Sequence, residues 1–309
     1  MEKDIIFGMC ADVHQNRNPD ANERMKKFVD EANERKADFI IQLGDFALPD
    51  EGGQGLLDVF NSFNGHKYHV LGNHDTEHYG KKKCMDFLGL KDKYFSFDCG
   101  NYHFIVLDTN FFKVGDEYID YDVDNYHSDF FNCYLPDHEL EWFENDIRNT
   151  EKRCFIFSHA PLVGGDWNIY NVHDFMDIVY KENQRCGFNK VTMCFAGHDH
   201  ADEYMFKGGV HYMLVNSMCH KFIGPMYKQA RNAESVSRGS GEPLRTIIWY
   251  KDPLYAFVKL QPNGLIRIIG KQSEWVGHSP FELHWEYYAS PQISYRELWM
   301  NGYGEFNEN

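Results

Sequence analysis

The sequence predicts an α/β fold: a four-layer α-β-β-α sandwich in which two mixed β-sheets face each other and helices cover their outer sides. Three observations point there. Five short apolar runs each end in a small polar motif, helix-period segments lie between several of them, and hairpin patterns recur around Gly-containing turns. Short apolar runs bounded by turn residues are the pattern of strands buried on both faces.

In chain order, residues 5–10 form the first run and lead into Asp12-Val13-His14. Residues 20–36 follow as an amphipathic helix with Met25, Phe28, Val29 and Ala32 on one face. Residues 39–43 form a second run, ending in Gly44-Asp45, and Leu56, Leu57, Phe60 and Phe63 mark a second helix. Residues 68–71 lead into Gly72-Asn73-His74-Asp75. Residues 94–98 and 102–108 read as an antiparallel pair about Gly100-Asn101. Residues 136–149 are a third helix with Pro136 near its start and Leu140, Phe143 and Ile147 as its apolar stripe. Residues 154–157 end in Ser158-His159-Ala160-Pro161, and residues 191–195 end in Gly197-His198-Asp199-His200. Residues 204–207 and 211–215 flank a Gly208-Gly209 turn, and residues 256–260 and 265–269 form a late hairpin through Pro262-Asn263-Gly264.

Each motif alone reads equally well as ordinary turn chemistry, since Gly, Asp and Asn are turn residues. Gly197-His198-Asp199-His200 is the exception, because two histidines at alternate positions after a buried strand favour a metal. Five strand ends delivering Asp, His and Asn to one crevice is hard to explain by packing, and crevices beyond the carboxyl ends of strands are where α/β sheets bind ligands.

This set, in this order, resembles the calcineurin-like metallophosphoesterase superfamily, whose pattern is DxH, GD, GNHD, H, GHxH. The resemblance covers roughly residues 4–215. It implies a first metal held by Asp12, His14 and His200, a second held by Asn73, His159 and His198, and Asp45 bridging both. His74 is then the catalytic histidine, beside the metals rather than on them. The chemistry suits the assignment: imidazole, carboxylate and amide donors without thiolate fit two ions of Mn, Fe, Zn or Ni. Two such ions generate a bridging hydroxide as nucleophile and clamp a phosphoryl group, while a histidine protonates the leaving oxygen. Two carboxylates against two dications also leave net positive charge where a phosphate must sit.

Departures from the family pattern narrow the reading. Many members carry GDxxD or GDxxE, the last acid orienting the catalytic histidine; here that position is Leu48, so Asp75 or Asp50 is the expected partner of His74. Purple acid phosphatases carry tyrosine at the Leu48 position, so no tyrosinate colour is expected, and a purple preparation would contradict this. Serine/threonine protein phosphatases read GNHE and carry an Arg beyond the second motif; this chain has neither.

Composition sets further bounds. A chain of 309 residues that is 43% hydrophobic can bury a large core, read as a catalytic domain over residues 1–270 and an aromatic extension over 271–309 packed on the domain or on a partner. A net charge of −16 argues against long nucleic acids, whose recognition wants basic surface. The one basic run, Lys81-Lys82-Lys83, reads as a solvated helix face. No apolar run has the length of a transmembrane helix, so no membrane partner is expected. The chain enters its first strand almost at once without a signal peptide, and Cys10, Cys154 and Cys194 lie in expected strands as small hydrophobes. Both favour a cytoplasmic setting, with a secreted form already trimmed of its leader as the alternative.

Two insertions are expected near the site. Residues 109–135 are acidic and aromatic (Phe111, Phe112, Tyr118, Tyr121, Tyr126, Phe130, Phe131) and serve either as a stacking wall for a base or as a packed flap. Residues 216–245 hold His220, Lys221, Lys228, Arg231, Arg238 and Arg245 as candidate phosphate contacts, with the Ser/Gly-rich 235–242 stretch as a candidate lid. His78, His173 and His220 are candidate substrate-binding residues; His66, His69, His103 and His211 read as strand or turn residues. The expected activity is hydrolysis of small phosphoesters, with a diester or nucleotide-type substrate favoured. The alternatives are a phosphomonoesterase and a non-catalytic scaffold retaining the fold. Oligomeric state is not encoded in motifs.

Overall fold

In a computed structural model, which describes residues 3–122, 133–223, 246–285 and 287–302, strand β1 (Ile5–Cys10) is buried on both faces. Period-two alternation sends Ile5, Phe7 and Met9 to one side and Ile6 and Cys10 to the other. β1 pairs in parallel with β2 (Phe39–Gln42), and β2 with β3 (His66–His69). On its other edge β1 meets β14 (Ala256–Leu260) antiparallel, followed by β15 (Leu265–Ile269) and β16 (Arg296–Trp299). The late hairpin therefore belongs to the same sheet as the first motif strand, and the stretch after residue 270 supplies that sheet's edge.

The second sheet runs β10 (Glu203–Lys207), β11 (Val210–Leu214), β9 (Val191–Ala196), β8 (Arg153–Ser158), β5 (Tyr102–Val106), β4 (Phe95–Cys99). Its four central strands are parallel and its two edges antiparallel. The sheets face each other across an aromatic core. Phe7 stacks on Phe39 at 4.8 Å and meets Phe104, Phe157 and Phe195 edge-on at 5.7–5.9 Å, the geometry aromatic rings prefer.

Helices α1 (Ala21–Glu34) and α2 (Glu51–Asn61) cover the outer face of the first sheet through Met25, Phe28, Val29, Leu56 and Phe60. α4 (Asp137–Asn149) and α5 (Val172–Cys186) cover the second through Phe143, Ile147, Phe175 and Val179. The four-layer arrangement is the expected one. Among the described residues no helix is long and apolar enough to cross a membrane.

Three features differ from the expectation. Helix α5 has no counterpart in the sequence reading. The start of the 109–135 insertion is a two-stranded ribbon, β6 (Phe111–Val114) with β7 (Glu117–Asp120), which the sequence pattern did not single out. Lys81 is not solvated. It begins α3 (Lys81–Leu88) buried at 3% exposure, with its ammonium on Asp108, Asp120 and the Asn110 carbonyl, while Lys82 stays on the surface beside Asp86. A lysine so deeply placed is tolerated because it is paired and hydrogen-bonded.

Candidate metal centre

The five motif loops meet at the carboxyl ends of β1, β2, β3, β8 and β9. Backbone bonds tie them together: Asp12 N–H donates to Gly44 O (3.1 Å), His14 N–H to Asp45 O (2.8 Å), and Gly197 N–H to His159 O (3.0 Å). The local backbone is strained where the side chains converge. Seven described non-glycine residues have positive φ, and five are Asp12, His14, Asp45, His198 and His200. Such conformations are costly and persist where surrounding structure enforces them, most often at functional sites. Gly44 (φ +95°) and Gly72 have no room for a side chain, because a Cβ would strike the His159 ring and Asp45 respectively.

The candidate ligands form two adjoining groups sharing Asp45. In one, His14 Nε2 lies 3.2 Å from His200 Nε2 and 3.5 Å from Asp45 Oδ2, and His200 Nε2 is 3.5 Å from Asp12 Oδ1. In the other, His159 Nε2 lies 2.9 Å from Asn73 Oδ1, 3.1 Å from His198 Nδ1 and 3.3 Å from Asp45 Oδ2. Donor atoms of Asp12, His14 and Asp45 fall within 4.8 Å of one another, as do those of Asp45, His159 and His198.

The tautomers are set from behind. His159 Nδ1–H donates to Leu43 O (2.8 Å) and His200 Nδ1–H to His220 O (2.7 Å), so each turns Nε2 into the cluster. Outer hydrogen bonds of this kind orient ligating imidazoles in metal sites. The result is a buried convergence of imidazole, carboxylate and amide donor atoms close enough to share a cation. The donor set therefore fits divalent metal ions.

Burial opposes charge on His14 and His198 and holds both well below the ordinary imidazole range. Burial also opposes charge on His159, but the Asp45 carboxylate outweighs it and raises that group to about 10. Asp45 itself is pushed up by burial, yet the surrounding imidazoles, His159 foremost, hold it well below the carboxylate range.

His74 stands apart from the ligands. Its side chain is 25% exposed, against 3% or less for those of Asp12, His14, Asp45, His159 and His200. Its ring centre lies 5.2 Å from that of His14, and its backbone N–H donates to Asp45 Oδ1 (2.8 Å). Its Nδ1 meets Glu77 Oε2 at 2.8 Å, and Arg17 lies 3.6 Å from the same oxygen. Neither Asp75 nor Asp50 is that partner. The Asp75 carboxylate instead accepts backbone N–H bonds from Gly72, Asp45, Phe46 and Ala47, bracing the second loop against the third, and Asp50 caps α2 through Gly53 N–H. Asp75 is thus a loop brace rather than a residue at the reacting atoms. Glu77 and Arg17 were missed by sequence reasoning. The only available signal was the His74–Glu77 spacing of three, which carries meaning only once the turn is known.

The candidate substrate-binding histidines part company. His78 sits on the rim, half exposed and 4.0 Å from Glu77 Oε1. His173 is exposed on the first turn of α5 and lines a hollow of about 170 Å³ with Lys207 and Tyr212, apart from the cluster. His220 is fully buried beside His14 and His200, ring centres 5.2 and 4.9 Å away. Of the aromatic insertion, Phe111, Phe112 and Tyr121 are buried, the last two in the core of the second sheet, which rules them out as a stacking wall. Tyr126, Phe130 and Phe131 lie outside the described residues, as do Lys228, Arg231, Arg238, Arg245 and the 235–242 stretch. Lys221 Nζ donates to Asp199 O (2.6 Å).

Comparison with known proteins agrees with this geometry. A manganese-dependent ADP-ribose/CDP-alcohol diphosphatase of Arabidopsis thaliana is 23% identical over 224 residues, 58% of this chain and 70% of that protein. Its namesake from Oryza sativa subsp. japonica is 27% identical over 202 residues, 53% of this chain and 61% of that protein. Among solved structures, a dimetal phosphatase from Danio rerio shares the fold at a TM-score of 0.61 and 13% identity, covering 89% of this chain and 99% of its own. GAP50, described as the anchor in the inner membrane complex of Plasmodium, shares it at 0.54 and 14%, covering 94% and 89%. The sequence model of calcineurin-like phosphoesterases matches residues 6–202. With its two-metal donor cluster, the chain belongs to the calcineurin-like phosphoesterase family and is a metal-dependent phosphoester hydrolase.

Proposed function

We propose that this enzyme hydrolyses small disubstituted phosphates, nucleotide-type diesters and diphosphates, with His74 as the general acid. The observation that carries the reading is the pairing of a buried acceptor cluster with one partly exposed, carboxylate-held histidine at its rim. Asp12, His14 and His200 would hold one ion, Asn73, His159 and His198 the other, and Asp45 would be shared by both. When bound, such ions supply Lewis acidity and a deprotonated water near neutral pH.

The chain's own residues do the rest. Glu77 takes the Nδ1–H of His74, so the transferable proton sits on Nε2 and goes to the oxygen leaving phosphorus. Arg17 braces Glu77 and lies over the Phe222 ring (5.4 Å), which itself packs against His14. Phe222 also lies beside the His74 ring (6.4 Å), so an apolar face and, through Glu77, a cation adjoin His74, suited to a phosphate carrying an organic substituent. The diphosphatase relatives support the substrate class, because each phosphorus of ADP-ribose carries two linkages, as in a diester. The relatives also favour manganese among the candidate metals.

The test is hydrolysis of ADP-ribose, a CDP-alcohol, bis-p-nitrophenyl phosphate and p-nitrophenyl phosphate after chelator stripping and reloading with Mn, Fe, Zn or Ni. The expected result is metal-dependent turnover favouring the disubstituted compounds, with ADP-ribose split into two monophosphates. Turnover of p-nitrophenyl phosphate alone would establish a monoesterase instead. Two ions bound with no turnover of any compound would favour the scaffold reading.

A further inference from the structure

His220 opens β12 (His220–Phe222), which pairs with β13 (Ile247–Trp249) outside both main sheets. It belongs to none of the five motifs, yet its ring is completely buried against them. Asn18 fixes how that ring is protonated. The Asn18 amide donates to Val13 O (2.6 Å) and His14 O (2.9 Å), which turns its Oδ1 toward His220 Nδ1 at 3.2 Å. An amide oxygen can only accept, so the His220 proton sits on Nδ1 and the Nε2 lone pair is bare. That Nε2 is buried with no hydrogen-bond partner among the described residues. One ring nitrogen each of His14, His200 and His220 lies within 4.8 Å of the others. Buried polar atoms in native proteins nearly always have a partner, and an exception calls for an ion or a water.

The surroundings are rigid in the way metal sites need. Ser217 Oγ–H donates to Asp12 O (2.7 Å) and accepts N–H bonds from Cys219 and His220 (3.1 and 3.2 Å). The His220 carbonyl is the group that orients His200. One turn thus braces two candidate ligands and presents a third imidazole in the tautomer of His159 and His200, with Nδ1–H outward and Nε2 inward.

We propose that His220 is a ligand, through Nε2, of the ion held by Asp12, His14 and His200. The inference rests on the two-metal reading above and adds an eighth protein ligand to it. It also makes the two positions chemically unequal: three imidazoles with Asp12 and Asp45 at the first, two imidazoles with Asn73 and Asp45 at the second. Imidazole-rich sites favour Zn, Fe, Ni and Co relative to Mn, so the first position holds such ions more tightly than the second.

The direct test uses wild-type protein labelled with ¹⁵N-histidine, stripped of metal and loaded with ¹¹³Cd. Five imidazoles, those of His14, His159, His198, His200 and His220, should show coupling to cadmium. Four, with His220 uncoupled, would overturn the assignment while leaving the two-metal reading intact. Fewer than two ions bound per chain would take down both. In parallel, His220→Gln should weaken Co(II) and Zn(II) binding at one position by at least about 10-fold, as even loss of an outer-shell partner does. It should change the visible spectrum of the first Co(II) equivalent and leave the second unaltered, with apo-protein circular dichroism unchanged. His78→Gln should alter none of these. Wild-type affinity and spectrum in His220→Gln would also overturn the proposal.

Discussion

The two halves of the metal centre are built alike from behind and differently in front. Each contains a histidine whose Nδ1–H is spent on a backbone carbonyl, Leu43 O for His159 and His220 O for His200. The Asp12–His14–His200 half is closed over by the buried His220. The Asn73–His159–His198 half includes the partly exposed His198. His198 is thus the partly exposed member of the two groups, and His74, partly exposed too, stands beside His14. One scaffold, loops at strand ends braced by backbone hydrogen bonds, thus presents two adjoining donor groups that differ in how much of each faces solvent.

The largest expected effect comes from removing what the halves share. Asp45→Ala should reduce bound metal from two ions per chain, measured by elemental analysis, and lower turnover by more than loss of a general acid. Two retained ions would break the comparison by showing that the halves do not depend on a bridge. His74→Ala should cost about 10²–10⁴-fold in turnover with both ions retained, since His74 lies beside the cluster; loss of metal would make it a ligand. Glu77→Gln should cost less, about 10- to 100-fold by analogy with other outer-shell partners. It should do so mainly in kcat, with both ions retained. An unchanged kcat would return the role to another acid.

Gly44→Ala sharpens the comparison through stability. Its left-handed backbone and the contact with His159 predict a loss of about 1–3 kcal/mol in chemical denaturation, together with weaker binding at the His159 position. The smallest effect lies outside the centre. Burial opposes the charged His103, but Asp146 (2.8 Å) and Asp98 (2.7 Å) outweigh it and raise its pKa above the ordinary value. A raised folded-state pKa gives stability that is fully present below about pH 6.5 and is lost as pH climbs through the folded value. The apo-protein Tm should therefore decline over that rise, and His103→Gln should flatten the decline.

What the sequence made legible follows from periodicity and strand-end position. The motif strands announce themselves as short apolar runs ending in polar motifs, α1, α2 and α4 by a 3.6-residue stripe, and the 256–269 hairpin by its Gly-containing turn. Helix α5 escaped because its buried face is thin in apolar residues and includes Glu182, whose charge is satisfied by Arg185 and Lys190 rather than by solvent. Lys81 escaped likewise, since a buried lysine looks like its exposed neighbours until Asp108 and Asp120 are folded against it. Within the site, the seven candidate ligands are local to motifs, whereas Glu77, Arg17 and His220 reach the cluster only through tertiary structure. Asp75 was misread for the converse reason. It sits inside a motif but faces backbone amides, a direction that spacing does not encode.

Anomalous diffraction from crystals of the manganese-loaded protein tests the central claim most directly. Two peaks are predicted, one among Asp12, His14, Asp45 and His200 and one among Asp45, Asn73, His159 and His198. A single peak, or peaks away from Asp45, would contradict a bridged two-metal centre and the chemistry built on it.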